Sequence, residues 1–482
     1  MDDAHERLRS LGYLEQYSSA RHSLGLYRNV AVSASYSSSA PEVALQRTIY
    51  SALSEVIRRH PILSVFVKDE NTSAPYFARL PLIDLKKCVF FIPRKHHGAP
   101  NGARDLALDE LLEDQHCTDF KEEYGQRPFW RLMVLTEIGD PTRFIASFVF
   151  HHAIGDGQSG VAFHRSFCSA LSKTSVAESS SVEDSTVLTR SVVSPQDPLI
   201  PNIEALHKLP LSLPFILKAL WYSWYPPSNT GLWTGLPTTE KYSSKRARYR
   251  SFSIPSETTR RLVSMPRSHN STLTALVEVL LANVLFAQLP NEYSTLRCNG
   301  TISLRQLLPS DIVNADSIGT WLSTYTHDHF RPDQNDIKHP IDWEQASQVR
   351  ATIVAEVAKK GSDSQISLLR YAGDIRTFLL NRIGKQRDTS FEISNLGAFK
   401  PPHDSSRWHI GRMVFSQSNN VIAVPLTACM ITGGDNCLTI GFSWTDGAVE
   451  EELIDKVMLD MERDLKKLAA EGDAMVADEQ AC

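Results

Sequence analysis

The segment His151-His152-Ala153-Ile154-Gly155-Asp156-Gly157 carries the residue types best suited to proton-transfer chemistry. A hydroxyl is a poor nucleophile at pH 7, and a neutral imidazole, with an unperturbed pKa of about 6.5, can take its proton. The imidazolium so formed can hand the proton to a departing thiolate. One histidine, His152, thereby serves both halves of an acyl transfer, and no acyl-enzyme is required. Asp156 lies four residues on, past a tight turn at Gly155. There it can fix the turn by backbone hydrogen bonds or a salt bridge, and so orient His152. Gly157 lets the backbone bend, draws the next helix close and leaves room for a substrate.

The pattern needs weighing against chance. With 16 histidines in the chain, about one His-x-x-x-Asp match is expected at random, and His329 with Asp333 supplies a decoy. Requiring the glycine after Asp156 lowers the expectation to about 0.05, and requiring His151 as well lowers it to about 0.002. Other chemistries fit less well. A packed, hydrogen-bonded histidine pair at a strand end is the structural alternative. No third metal ligand stands at a recognisable spacing, so no metal site is expected. Gly157-Gln-Ser159-Gly160-Val161 has valine where a serine-hydrolase elbow needs glycine. Gly155-Asp156-Gly157-Gln-Ser-Gly160 fits a dinucleotide loop, but Asp156 would put a negative charge where a pyrophosphate must sit.

Rigid elements must hold this turn. Phe144–Phe150 is an apolar run that feeds into the two histidines, and residues 127–135 read as a second buried strand. Residues 157–171 have helical spacing, which places the motif on a strand-to-helix turn. Leu8, Leu11 and Leu14 predict a short amphipathic helix over 4–17. Residues 41–59 predict a helix with Pro41 in its first turn and Leu45, Ile49, Leu53, Val56 and Ile57 on one face. Residues 173–200 are polar and aperiodic, which predicts an exposed crossover loop. The Leu- and aromatic-rich stretch 204–225 predicts a helix on the cleft or between domains, with peripheral membrane contact as the minor alternative. Ser271 predicts the cap of a helix running to 287. Leu296–Leu304, ending at Arg305, reads as a strand, as do Phe391–Ile393 and Leu438–Trp444. Val449–Leu468 closes the chain as an amphipathic helix.

Both halves mix helices and strands, so the class is α/β or mixed α+β with two similar lobes. The boundaries fall at 1–172, a crossover and linker at 173–244, and 245–482. The net charge of −5 offers no field to recruit nucleic acid. The cluster Lys245-Arg246-Ala-Arg248 reads as a solvated face, with phosphate binding as its alternative. Seven scattered cysteines, none in a CxxC pair, favour free thiols in a reducing compartment. The N-terminus has no apolar core of a signal peptide and no run is long enough to span a bilayer, so a cytoplasmic location is expected.

The seven-residue segment resembles the HHxxxDG signature shared by chloramphenicol acetyltransferases, plant BAHD acyltransferases, peptide-synthetase condensation domains and fungal alcohol acetyltransferases. Leu11-Gly-Tyr-Leu-Glu15-Gln-Tyr17, Arg21-His22-Ser-Leu-Gly25-Leu-Tyr27 and Trp130-Arg131-Leu-Met-Val-Leu135 resemble blocks of the last group. The BAHD DFGWG element is missing; Gly441-Phe-Ser-Trp444 is its nearest echo. The resemblance implies a two-lobed chloramphenicol acetyltransferase-like fold with a tunnel between the lobes. It implies acetyl-CoA or another acyl-CoA as co-substrate, no permanently bound cofactor, and a small hydroxylated acceptor. His152 takes the base position and Asp156 the structural aspartate, with His151 and Gly157 in support. Arg305, after Ile302-Ser-Leu, matches the arginine that pairs with this aspartate; an ordinary surface arginine is the alternative. Ser394-Asn395-Leu396-Gly397 resembles a turn that shapes the tunnel, with Ser394 and Asn395 as candidate donors to an oxyanion; a structural turn is the alternative. Gly361-Ser-Asp363-Ser364 fits a carrier-type pattern but reads as a turn, which favours a free CoA donor; a monomer is expected. The resulting expectation is O-acyl, chiefly O-acetyl, transfer. N-acylation, carrier-dependent condensation, and a non-catalytic binding protein on the same fold are the rivals.

Overall fold

A computed structural model of the chain describes residues 5–39, 44–94, 104–180, 190–225, 228–239, 241–242, 245–332, 341–401 and 407–480, with backbone only at 175–180, Ser223 and 472–480. Pro41, Asp333 and the part of the expected crossover loop at 181–189 lie outside these residues.

Two sheets form the framework. The first has five strands in the order Trp408–Gln417, Val30–Ser38, Asp140–Phe150, Trp130–Glu137 and Val89–Pro93. Its pairings are antiparallel except the last, which is parallel. Helices Leu45–Arg59 and Gly157–Ser180 pack on it. The second sheet has six strands in the order Ala247–Ile254, Leu438–Thr445, Leu426–Thr432, Phe391–Ala398, Thr295–Ser303 and Leu322–Phe330. Ser256–Ser268, Leu273–Gln288, Trp343–Ala358 and Glu451–Gln480 form its helical layer. Each sheet has its own apolar core. Trp130, Phe148, Phe150 and Phe163 lie in the first, and Leu276, Leu280, Phe442 and Trp444 in the second. This is the mixed α/β, two-lobed architecture, with one exchange. Strand Trp408–Gln417 leaves the C-terminal half of the chain to form an edge of the N-terminal sheet beside Val30–Ser38.

Several elements differ from the sequence reading. The helix predicted over 4–17 is a strand, Glu6–Ser10, followed by a helix, Tyr13–Ser23. The strand pairs with Tyr76–Arg79, and Arg7 and Arg9 lie over the rings of Tyr76 and Phe77. The leucine period thus belonged to two elements, and long-range pairing overrode it. The crossover loop begins late, because the motif helix continues to Ser180. Thr272, one residue beyond Ser271, caps the helix Leu273–Gln288. Residues 204–225 split into Ile203–Leu206 and Leu213–Trp224. In the second of these Leu213, Leu217, Trp221 and Trp224 are all exposed. No single described helix is long and apolar enough to cross a membrane.

Candidate active site

The motif turn begins where strand Asp140–Phe150 runs out and ends where helix Gly157–Ser180 starts. Asp156 occupies the N-cap of that helix: its Oδ1 accepts the Ser159 N–H at 3.0 Å. Its carboxylate also accepts the Trp321 N–H at 3.1 Å and both terminal nitrogens of Arg305, at 2.9 and 3.2 Å. Arg305 therefore pairs with Asp156, and the surface-arginine alternative fails. Both side chains are largely buried, so the pair ties the N-terminal motif to the C-terminal sheet. Ser159 completes the knot. Its hydroxyl donates to the Gly319 carbonyl and accepts from Arg305 Nη2 and from the Gly319 N–H. This tie was missed in the sequence, where Ser159 mattered only as a rejected nucleophile.

Gly157 serves a close approach. A β-carbon there would stand 2.6 Å from Leu396 Cδ2 and 3.0 Å from Phe415 Cζ. The space beside it is filled by these two side chains, and the expected room for a substrate is not at this glycine. Gly160 does the same against Val32, at 2.3 Å. Gln158 Nε2 donates to the Leu396 carbonyl, which draws the Ser394–Gly397 segment onto the helix start. That segment is a bulge within the strand Phe391–Ala398 and no terminal turn; Gly397 adopts φ +76° and the register shifts there. Asn395 spends one amide N–H on Thr274 and its carbonyl on the Gly397 N–H. Ser394 is buried.

The two histidines differ sharply. His151 is sealed. Its Nδ1 accepts the Ala153 N–H at 2.9 Å, so Nε2 carries the proton and donates it to Glu70 at 3.0 Å. His22 mirrors it: Nε2 accepts the Phe120 N–H, and Nδ1 donates to Glu70. His22, Glu70 and His151 bring three potential ligand atoms within 4.8 Å of one another. The hydrogen bonds oppose a metal at this point. A ligating imidazole needs its lone pair facing the ion and its proton on the other nitrogen, and both rings have the reverse. Burial alone would raise the Glu70 carboxyl, but the charge interaction with His22, and then the bonds donated by His151 and His22, hold it well below its usual range.

His152 is half-buried, and its Nδ1 is enclosed with no hydrogen-bond partner. Thr320 Oγ1 braces its backbone carbonyl at 3.0 Å. Burial, and then the positive charge of Arg21, push its pKa down to about 3. Both causes favour the neutral ring. The ring of Tyr27 lies 5.6 Å away. A cavity of about 100 Å³ sits beside the turn, lined by Arg9, Glu15, Arg59, Ala153, Ile154 and Trp321. His152 is not among its lining residues.

Two sequence alternatives lose their support. Arg246 and Arg248 are paired with Glu113, Asp114 and Asp446 and are not a free phosphate cluster. Ser364 is buried, and its hydroxyl donates to the Gly361 carbonyl, so it is no carrier attachment point.

Comparison with known proteins agrees with this geometry. The family model for alcohol acetyltransferases matches residues 10–78 and 116–462. The chain is 33% identical over 470 residues to the probable alcohol acetyltransferase crmB of Aspergillus fumigatus, covering 93% of this chain and 97% of that one. It is 27% identical over 488 residues to the probable alcohol acetyltransferase FCK4 of Fusarium pseudograminearum, covering 97% and 96%. Among solved structures it resembles the trichothecene 15-O-acetyltransferase TRI3 of Fusarium sporotrichioides, with a TM-score of 0.70 at 13% identity over 96% of this chain and 95% of that one. A condensation domain of the calcium-dependent antibiotic synthetase shares the fold at a TM-score of 0.64 and 12% identity, over 96% and 97%. Two lobes tied at an HHxxxDG turn and a family model spanning most of both lead to one conclusion: this chain belongs to the alcohol acetyltransferase family and is an acyltransferase.

Proposed function

We propose that the chain transfers an acyl group, chiefly acetyl, from acyl-CoA to the hydroxyl of a small alcohol or secondary metabolite, with His152 as general base in a direct ternary complex. The observation that carries this reading is the contrast within the motif: His151 has both ring nitrogens engaged, whereas His152 is neutral, half-buried and unpartnered at Nδ1. The acceptor oxygen attacks the thioester carbonyl carbon as its proton passes to His152 Nε2. The C–S bond of the tetrahedral intermediate then breaks, and the imidazolium gives its proton to the departing thiolate. Asp156 and Arg305 act as positioning residues, since their bonds go to each other and to the turn. Free-thiol release from acetyl-CoA across a panel of alcohols and amines tests the proposal. Acceptor-dependent release that disappears in a folded His152→Ala protein supports it. Release that survives in that variant, or that occurs with amines alone, refutes base catalysis by His152 or O-acylation respectively.

A further inference from the structure

The block Arg21-His22-Ser-Leu-Gly25-Leu-Tyr27 surrounds the motif histidines. Helix Tyr13–Ser23 ends in a Schellman arrangement. The Leu26 N–H donates to the Arg21 carbonyl at 2.8 Å, the Gly25 N–H to the His22 carbonyl at 2.9 Å, and Gly25 takes φ +73°. That reversal folds Tyr27 back against the last turn. His22 thereby reaches Glu70 and His151, and Tyr27 lies against His152 with Arg21 over its ring.

Arg21 is the anomaly. It is only 7% exposed. Its guanidinium carbon lies over the rings of Tyr17 and Tyr27, 4.4 and 4.6 Å from their centres. Such contacts offset part of the cost of burying a cation, but they satisfy no N–H group. Among the described residues its side chain makes one hydrogen bond, a long one of 3.4 Å to Ser18 Oγ, and Nε is buried with none. Among the described residues no carboxylate stands within ion-pair distance of it. Glu392, which feels the charge of Arg21, accepts instead from Gln417 Nε2, whose side-chain carbonyl takes the Tyr27 hydroxyl. Burial also pushes Glu392 toward its neutral form.

A buried, underbonded cation beside a general base is unfavourable in the empty enzyme on two counts. It leaves donors unsatisfied, and it weakens the base that must accept a proton. Both costs vanish if an anionic oxygen joins the site during turnover. Its N–H donors lie in the guanidinium plane, at the edge left by the two rings, where an anionic oxygen can accept from them. Resting on the acyl-transfer reading above, we infer that Arg21 donates to the thioester carbonyl oxygen as it becomes the oxyanion. When the acceptor oxygen bonds to the carbonyl carbon, the C=O π pair moves onto that oxygen and the hydroxyl proton moves to His152. Arg21 holds the charge until the pair returns and the C–S bond breaks. The oxyanion also cancels the field of Arg21 on His152, so the base strengthens as the transfer proceeds.

The test compares wild type, Arg21→Gln and Arg21→Lys with acetyl-CoA and an alcohol acceptor, reading kcat, KM and the pH profile. The groups that bear on the acid limb are Arg21 and His151, through their effect on His152, with Glu392 acting on Arg21. Removing an oxyanion donor typically costs about 10²–10³ in kcat. Arg21→Gln is expected to show that loss, with KM for acetyl-CoA changed by less than about threefold and the acid limb moved to higher pH. Arg21→Lys keeps the charge but not the planar fork, so it should hold the acid limb and lose about tenfold in kcat. If Arg21→Gln does not fold, Arg21→Lys carries the test, and undiminished kcat in it overturns the inference. Near-wild-type kcat with an unmoved acid limb in a folded Arg21→Gln overturns it while leaving the role of His152 intact. Silence of wild type and of every variant would remove the acyl-transfer reading itself.

Discussion

His152 and His329 head the two His-x-x-x-Asp patterns considered above, and the structure treats them in opposite ways. His329 sits on the strand Leu322–Phe330, is 2% exposed, and meets Glu278 at 3.1 Å; Tyr325 donates to the same carboxylate at 2.5 Å. Every partner of that cluster belongs to the interior of one lobe. His152 sits on a turn, half-buried, and is braced from the other lobe through its own carbonyl by Thr320. The difference teaches that a histidine becomes available for chemistry when neighbouring groups hold its backbone and leave its ring free. Where the ring is itself a structural partner, as in His329 and His151, the residue is spent.

The contrast is broken most directly at the two rings. His152→Ala should lower kcat/KM by about 10²–10⁴, the span of general acid–base catalysis, with little change in melting temperature. His329→Ala should leave kcat/KM per folded molecule within about threefold while costing about 1–3 kcal/mol in denaturant unfolding. The reverse pattern would sink the distinction. Next in size is the tie between lobes: Arg305→Ala strands the buried Asp156 carboxylate and should destabilise by about 3–5 kcal/mol, measured by urea titration. Gly157→Ala forces Leu396 and Phe415 aside and should cost about 1–3 kcal/mol.

Acidity sharpens the comparison over a broad range. Burial lowers His60, His151 and His164 to about 4 and His116 and His152 to about 3. A group whose pKa is lower folded than unfolded binds more protons when unfolded, so stability must fall as pH drops below about 6.5. For each such histidine the penalty reaches roughly 2 kcal/mol at pH 5. Glu70 adds a loss of the same sign further down, because its depressed pKa stabilises only above the ordinary carboxylate range. Melting temperature measured from pH 7.5 to 5 should therefore decline well before the carboxylates titrate. A flat profile would mean that these rings are solvated or already charged.

Much of this was legible in the chain. The helix over Leu45–Arg59 follows from its apolar period, and the strand–turn–helix around His152 from an apolar run ending at a histidine pair. The pairing of Arg305 with Asp156 came through the resemblance. What escaped was set by distant partners. Glu6–Ser10 became a strand because Tyr76–Arg79 offered it an edge. Glu70 carried no local sign that it would meet two histidines. Helix Leu213–Trp224 read by composition as an element on the cleft or between domains, yet most of its apolar residues are exposed.

The sequence by itself determined the motif: a histidine pair, an aspartate and a glycine at a spacing that chance rarely produces, carried on elements whose hydrophobic period is local. The tertiary structure decided which histidine has its ring engaged by Glu70, where the strand Trp408–Gln417 joins, and that Arg21 is buried with its Nε unbonded. The physical reason is the range of the interactions. Periodicity and capping act within a few residues, whereas tautomers, ion pairs and pKa values are set by groups that the chain brings together only on folding.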